Sequence, residues 1–232
     1  VSIYRDGEGV FEFQRGPLFA NLVLADEINR TTPRTQSALL EAMNENQITV
    51  DNVTHDLEDP FIVLATQNPL EFAGTYPLPE SQMDRFLLRI VLGYPSPEVE
   101  REVIRRFGHK SVTDELEAFV SQDELKELQS AVEQVKISDE ILDYMMAIVD
   151  ATRTSPKLEL GVSTRGAMAF SRGIQAMAFL QGRDFVNPDD VKRLAPYVCT
   201  HRIIPAGGSG RVERSRSEAI LEEILEAIPC PV

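Results

Sequence analysis

Residues 21–30 read NLVLADEINR, in which four apolar residues, Leu22–Ala25, run directly into the carboxylates Asp26 and Glu27. A short, uninterrupted apolar run predicts a strand buried in a parallel sheet. The carboxyl ends of such strands border the crevice in which open α/β folds bind ligands. Asp26 is therefore a candidate to hold Mg²⁺, and Glu27 a candidate to polarise a water molecule. A strand that ends in a solvated acidic turn explains this short pattern equally well.

A second apolar run, residues 61–66, ends in the polar sequence Gln67-Asn68-Pro69. If both runs are parallel strands, their ends meet at one sheet edge, and the Asn68 amide would lie beside the two carboxylates. It could then orient an attacking water. An Asn-Pro pair alone usually marks only a turn, but the two strand ends together form a more specific pattern.

Local signals predict the elements around these strands. Thr32 can cap a helix that begins at Pro33 and ends near Asn46. Residues 47–57 predict a hairpin with a two-residue turn at Asp51-Asn52, and residues 10–14 predict one strand of a hairpin arm. Residues 86–92 are apolar enough to predict a third buried strand. This order of elements indicates an α/β layer with a parallel sheet.

The pattern becomes helical after Pro97. A capping box at Ser121 and Glu124, a cap at Ser138 and the pair Asn187-Pro188 each predict a helix start. The sequence therefore predicts a partial α/β core over residues 1–97 and an all-helical domain over 98–205. A glycine-rich break and a terminal amphipathic helix follow over 206–232.

Composition restricts the function classes. The 232 residues are 43% hydrophobic, carry a formal net charge of -14 and include only two cysteines. An acidic surface disfavours nucleic-acid binding and favours protein partners. Two isolated thiols predict a reducing compartment, the cytoplasm, and the sequence has no apolar run of the roughly 18 residues that a membrane span needs.

Several motifs, in this order and spacing, closely resemble the MoxR family of AAA+ ATPases. They are NLVLADEINR at 21–30, TQSALLEAM at 35–43, VLATQNP at 63–69, GTYPLPE at 74–80, DRF at 84–86, residues 161–166, GRD at 182–184, NPDDV at 187–191 and His201-Arg202. The resemblance covers nearly the whole chain. It implies a AAA+ core with a parallel sheet, followed by a helical lid.

The resemblance also implies roles for the strand-end residues. Asp26 and Glu27 correspond to the Walker B pair, with Asp26 holding the Mg²⁺ of bound ATP and Glu27 acting on water. Asn68 corresponds to the sensor 1 residue. These roles suit phosphoryl transfer, in which a protein mainly positions groups and stabilises charge.

Two arginines correspond to residues that reach the nucleotide phosphates. Arg85 resembles the arginine finger that acts on a neighbouring subunit, and Arg165 resembles sensor 2 of the lid. Without the resemblance, a surface ion pair with Asp84 or Glu80 would be the simpler interpretation of Arg85. Arg165 would be an ordinary charge in a first helical turn, although a cation there opposes the helix dipole.

For the complete protein the resemblance implies ATP hydrolysis in a homo-oligomeric ring. The expected ring is a hexamer that remodels or activates client proteins. Von Willebrand A-domain proteins are the expected clients, and metal insertion is one expected outcome. The hairpin at 47–57 resembles the pre-sensor-1 insertion and the arm at 10–19 part of the helix-2 insertion, both of which would face the ring pore.

One part of the family pattern is missing. The sequence contains no G-x-x-x-x-G-K-[ST] loop to bind the α and β phosphates. The chain therefore resembles a fragment that lacks the Walker A region, and we expect it to bind ATP weakly and to be inactive alone. Two alternatives stay open: an interaction scaffold without ATPase activity, and a AAA+ motor that works on DNA.

Overall fold

Two parallel strands, β3 (Leu22–Ala25) and β6 (Ile62–Ala65), carry the predicted site in the first of two compact units, Val1–Phe86. The computed structural model describes residues 2–5, 10–68, 76–106, 116–207 and 213–231. The other elements of this unit are β1 (Ser2–Arg5), β2 (Val10–Phe13), a 3-10 turn (Ile28–Arg30), α1 (Pro33–Glu45), β4 (Gln47–Val50), β5 (Val53–Asp56) and α2 (Glu80–Met83).

The β3–β6 pair is parallel, with Leu22 opposite Ile62 and Ala25 opposite Ala65. This register places the last residues of both strands side by side. Ala25 of β3 and Val63 and Ala65 of β6 pack on a small core formed by Ile28, Leu39 and Leu78. Leucines on the other face are exposed, so only half of each apolar run is buried in the described structure.

Helix α1 and the hairpin after it form where the local signals predict them. The Thr32 hydroxyl accepts a hydrogen bond from the Thr35 backbone N–H at 3.3 Å, and Pro33 takes the first helical position. Asn46 ends the helix with a φ of 52°. Asp51 and Asn52 have φ values of 51° and 62°, as a tight turn between β4 and β5 requires.

The prediction of a strand over residues 86–92 is wrong. These residues belong to no strand, the chain bends at 86–87, and apolar side chains such as Leu92, Ile90 and Val91 are exposed. A strand exists only when a neighbour supplies its hydrogen bonds. No described strand lies alongside this segment, and its one backbone bond to a helix joins the Arg89 N–H to the Tyr197 carbonyl at 3.0 Å.

The second unit, Leu87–Val232, is helical. Beside the helices it has a short antiparallel strand pair that the sequence analysis did not predict. Its elements are α3 (Pro97–Arg106), α4 (Gln122–Glu133), α5 (Asp139–Thr154), β7 (Leu158–Leu160), α6 (Thr164–Leu180), α7 (Pro188–Cys199), β8 (Ile204–Pro205) and α8 (Glu213–Ala227).

The core of the second unit lies between α5, α6, α7 and α8. Phe170, Ile148, Ile174 and Val198 are fully buried in it. Gly173 lets α6 and α7 approach closely, because a Cβ atom there would lie 2.5 Å from Leu194 Cδ2.

The predicted helix starts of this unit are confirmed. Ser121 and Glu124 form a capping box on α4, and the Ser138 hydroxyl caps α5. Asn187 and Asp190 form a second capping box, with Pro188 in the first turn of α7. The domain boundary near Pro97 stays a prediction. Most of the predicted glycine-rich break lies outside the described residues, and none of the described helices is both long and apolar enough to cross a membrane.

Candidate functional site

The end of β3 turns sharply, and Thr66 at the end of β6 holds the turn. Glu27 has φ 49° and ψ 50°, a left-handed conformation that residues other than glycine adopt infrequently. Its backbone N–H donates to Thr66 Oγ1 at 2.8 Å, and the Ile28 N–H donates to the Thr66 carbonyl at 3.0 Å. The neighbouring strand therefore determines where the chain turns.

The same Thr66 hydroxyl also binds the first carboxylate. It donates to Asp26 Oδ1 at 2.5 Å while it accepts from the Glu27 N–H. One hydroxyl group thus orients Asp26 and the backbone of Glu27 together. Asp26 is otherwise exposed to solvent.

The Glu27 carboxylate has two partners. Asn68 Nδ2 donates to its Oε1 at 3.2 Å, and Arg30 Nη1 donates to its Oε2 at 2.8 Å. The hydrogen bond from Asn68, followed by the one from Arg30, lowers the pKa of Glu27 below its ordinary value because both favour the charged form. The carboxylate is therefore ionised at neutral pH.

Two buried side-chain amides, Asn29 and Gln36, bind backbone groups at the ends of β3 and β6. Asn29 Nδ2 donates to the Asn68 carbonyl at 3.1 Å, and its Oδ1 accepts from the Asn68 N–H at 3.4 Å. Gln36 of α1 is 2% exposed, and its Nε2 donates to the carbonyls of Ile28 at 3.2 Å and Tyr76 at 3.0 Å. These bonds fix the backbone at Asn68 and next to Glu27.

Sequence reasoning missed Thr66, Arg30, Asn29 and Gln36. Gln36 carried a usable signal, because it lies three residues before Leu39 and so falls on the buried face of α1. The other three stand inside the quoted motifs, beside the residues that were selected. Their partners lie about 40 positions away for Thr66 and Asn29, and no local pattern shows such a pairing.

The structure brings Asp26, Glu27 and Asn68 together, as predicted. Arg85 follows α2, and its Nε atom is buried without a hydrogen-bond partner. Within the described residues Arg85 forms no ion pair with Asp84 or Glu80 and no hydrogen bond to the Asp26-Glu27 pair. Arg165 belongs to the second unit, where it is exposed in the first turn of α6.

An aromatic cluster connects the two predicted insertions. The Phe13 ring, at the end of β2, stacks on the His55 ring of β5 with centroids 3.9 Å apart and an interplanar angle of 12°. Phe19 meets both rings edge-on, with centroids 5.6 Å from Phe13 and 6.2 Å from His55. The arm and the hairpin are thus packed on each other within the first unit.

Oxygen donors at this sheet edge fit a magnesium nucleotide. Asp26 is an exposed carboxylate, which is the ligand type that Mg²⁺ takes in small number while it keeps water and phosphate oxygens. Asn68 and Glu27 are joined by a hydrogen bond and offer an amide and an ionised carboxylate to a water molecule. The arrangement can bind a divalent cation and accept a proton from water.

Comparisons with known proteins agree with this geometry. Residues 1–88 match the model of the ATPase family associated with various cellular activities, and residues 150–224 match a AAA lid domain. The uncharacterized protein YeaC of Bacillus subtilis is 46% identical over the full chain, which spans 72% of YeaC. Chaperone MoxR1 of Mycobacterium tuberculosis is 37% identical over 99% of the chain, which spans 62% of MoxR1.

A solved structure from Cytophaga hutchinsonii shares the fold, with a TM-score of 0.86 and 38% identity over the full chain and 73% of that structure. The family models and the shared fold show that the chain belongs to the AAA+ ATPase class. The chain belongs to the MoxR family within that class. It spans less than two thirds of the length of MoxR1.

Proposed function

We propose that this chain supplies the catalytic carboxylates and the lid of a magnesium-dependent ATPase. The observation that carries the proposal is the junction of the two strand ends. There Thr66 binds Asp26, and Asn68 binds Glu27. Membership of the MoxR family makes ATP the expected substrate.

Each group has a distinct role in this proposal. Asp26 would hold the Mg²⁺ of bound ATP, which supplies charge stabilisation to the phosphates during transfer. Glu27 accepts the proton of the attacking water, and its lowered pKa keeps it in the required ionised form. Asn68 orients that water and the Glu27 carboxylate through one amide group.

The two arginines would supply positive charge to the phosphates. Arg85 makes no side-chain hydrogen bond in the described first unit, which suits a finger that acts on a neighbouring subunit. Arg165 would act from the lid. The role of Arg85 requires a ring of identical subunits, and a hexamer is the proposed form.

The cellular role follows by analogy with relatives. MoxR1 bears the name of a chaperone, and we propose that this protein also remodels or activates protein clients in the cytoplasm. Von Willebrand A-domain proteins are the proposed clients, and insertion of a metal ion is one proposed result. The joined arm and hairpin would contact the client at the ring pore.

An interaction scaffold without ATPase activity is the alternative to this function. The 232 residues include no phosphate-binding loop. The strand-end site alone cannot hold the α and β phosphates, because the backbone N–H groups of that loop normally bind them.

The test replaces Glu27 in a nucleotide-binding form that joins this chain to a phosphate-binding loop. Glu27→Gln should retain ATP affinity while hydrolysis falls by about 100-fold or more, because an amide of nearly the same shape accepts a proton far less readily. Steady-state turnover and calorimetric affinity would be measured. Glu45→Gln, at an exposed position of α1, is the matched control.

Hydrolysis at the parental rate by Glu27→Gln would show that the catalytic carboxylate is misassigned. Absence of both binding and hydrolysis in the unsubstituted form would favour the scaffold.

A further inference from the structure

The motif His201-Arg202 has no role in the proposed mechanism, although Arg202 is 5% exposed. Arg202 is the last residue of the 3-10 turn Thr200–Arg202, which follows α7. Burial of a guanidinium group is costly unless hydrogen bonds replace its water. The partners of this side chain therefore indicate what its burial achieves.

Arg202 connects three parts of the second unit. Its Nη1 donates to the Leu87 carbonyl at 3.3 Å and to the Val198 carbonyl near the end of α7. The same nitrogen lies 2.8 Å from Nε2 of His201. Leu87 is the first residue of this unit. The guanidinium therefore joins the start of the unit to the end of α7.

The aliphatic part of Arg202 lies across the first turn of α6. A Cβ atom on Gly166 would lie 2.7 Å from Arg202 Cδ and 3.1 Å from its Nε. The same Cβ atom would lie 2.8 Å from Val162 Cγ1, so no side chain fits there unless both Arg202 and Val162 move. The Gly166 N–H is itself bound by the Ser163 hydroxyl at 2.9 Å, so the turn is held by its cap and by Arg202 together.

Arg165 immediately precedes Gly166 in this turn and is exposed. A cation in the first turn of a helix is electrostatically misplaced unless an anion lies nearby. The exposed Arg165 side chain has no hydrogen bond or ion pair among the described residues, so the backbone beneath it determines where the guanidinium is presented. That backbone is the part against which Arg202 packs.

We propose that Arg202 is a positioning residue for Arg165, and that it fixes the first turn of α6 so that Arg165 meets the terminal phosphate of ATP. The inference rests on the proposed phosphate contact of Arg165. It assigns to the buried arginine a function in nucleotide discrimination in addition to its packing.

The experiment measures the ratio of ATP to ADP affinity by calorimetry, in the nucleotide-binding form described above. Arg165→Ala should reduce the preference for ATP by about tenfold or more, because a hydrogen bond to a charged group is lost. Arg202→Met should reduce the preference by a smaller factor. In the double variant, Arg202→Met should add nothing to the loss caused by Arg165→Ala.

Two further variants separate positioning from general stability. Arg202→Lys keeps the charge but not the forked donor geometry, and it replaces Arg202→Met if that variant fails to fold. Arg183→Lys weakens a different lid contact, the ion pair with Asp190, and should lower the melting temperature without changing the affinity ratio. Thermal unfolding is recorded for every variant.

The outcomes distinguish the two proposals. If Arg165→Ala leaves the ratio unchanged, its phosphate contact is wrong and the positioning role falls with it. If Arg165→Ala lowers the ratio but the Arg202 variants do not, or if their effects add, only the positioning role is wrong. A similar change in Arg183→Lys would attribute the effect to lid stability and would also overturn the positioning role.

Discussion

Glu27 combines an unusual backbone conformation with two side-chain partners, and each affects its chemistry. The left-handed turn directs the residue away from the line of β3, and Thr66 maintains that turn through its hydroxyl and its carbonyl. Asn68 and Arg30 then hold the carboxylate and lower its pKa. A base with a lowered pKa is a weaker proton acceptor but remains ionised over a wider pH range.

We expect the acid limb of the pH–rate profile to report this arrangement. Hydrolysis requires ionised Glu27, so activity is lost as the pH falls through its lowered pKa. Removal of either partner should raise that pKa and move the acid limb to higher pH. Asn68→Ala and Arg30→Met should each move the limb, because the Asn68 hydrogen bond is the largest single cause of the lowered pKa and Arg30 adds a hydrogen bond and its charge.

The profile of kcat against pH is the measurement, with Arg34→Met as the control at an exposed position of α1. If the acid limb stays at the same pH in both Asn68→Ala and Arg30→Met, the role of Glu27 as the titrating base is contradicted.

At the scale of elements, helix α7 shows how one side chain can both cap the start of a helix and bind the loop that precedes it. Asp190 is 1% exposed, and its carboxylate accepts from the Asn187 N–H at 2.9 Å, completing the capping box. The same carboxylate accepts hydrogen bonds from both terminal nitrogens of Arg183, at 2.8 and 2.6 Å. The loop before α7 is thereby fixed to the helix.

Loss of this carboxylate should destabilise the lid. Asp190→Ala should reduce the free energy of unfolding by about 3 kcal/mol, the lower end of the range for a broken buried pair. The lower end applies because the Arg183 side chain is 19% exposed and can regain some hydration. Asn187→Ala removes one capping bond and leaves the ion pair, and it should cost only about 1 kcal/mol.

Urea denaturation of the 232-residue chain, followed by circular dichroism, measures both changes. Equal losses in the two variants would mean that the ion pair adds nothing to the cap.

At the scale of the whole molecule, the proposed ring depends on Arg85. In a composite site the carboxylates come from one subunit and the finger from the next. Arg85→Ala should therefore leave the ATP affinity of a subunit unchanged and reduce hydrolysis by the ring on the order of 10³-fold or more. Arg101→Ala, exposed on α3, is the control.

Mixed rings test whether the arginine acts between subunits. Subunits with Glu27→Gln retain Arg85, and they should partly restore hydrolysis when they are mixed with Arg85→Ala subunits. Turnover would be measured in rings shown by mass spectrometry to contain both variants. No recovery in such rings would contradict action across an interface.

The sequence by itself determined the local features of this protein. Thr32, Ser138 and Asn187 cap helices where predicted, and Asp51-Asn52 turns the hairpin, because these signals act over three or four residues. The two strand ends that carry Asp26, Glu27 and Asn68 were also predictable, because parallel strands bring their carboxyl ends together.

Only the tertiary structure decided which distant groups meet. Thr66 binds Asp26 across 40 positions, and Arg202 packs against Gly166 from a different helix. The apolar residues 86–92 show the converse, because a run suited to a strand stays irregular where no described strand supplies hydrogen bonds. Propensity and spacing describe what a segment can become, whereas pairing depends on neighbours that are remote in the chain.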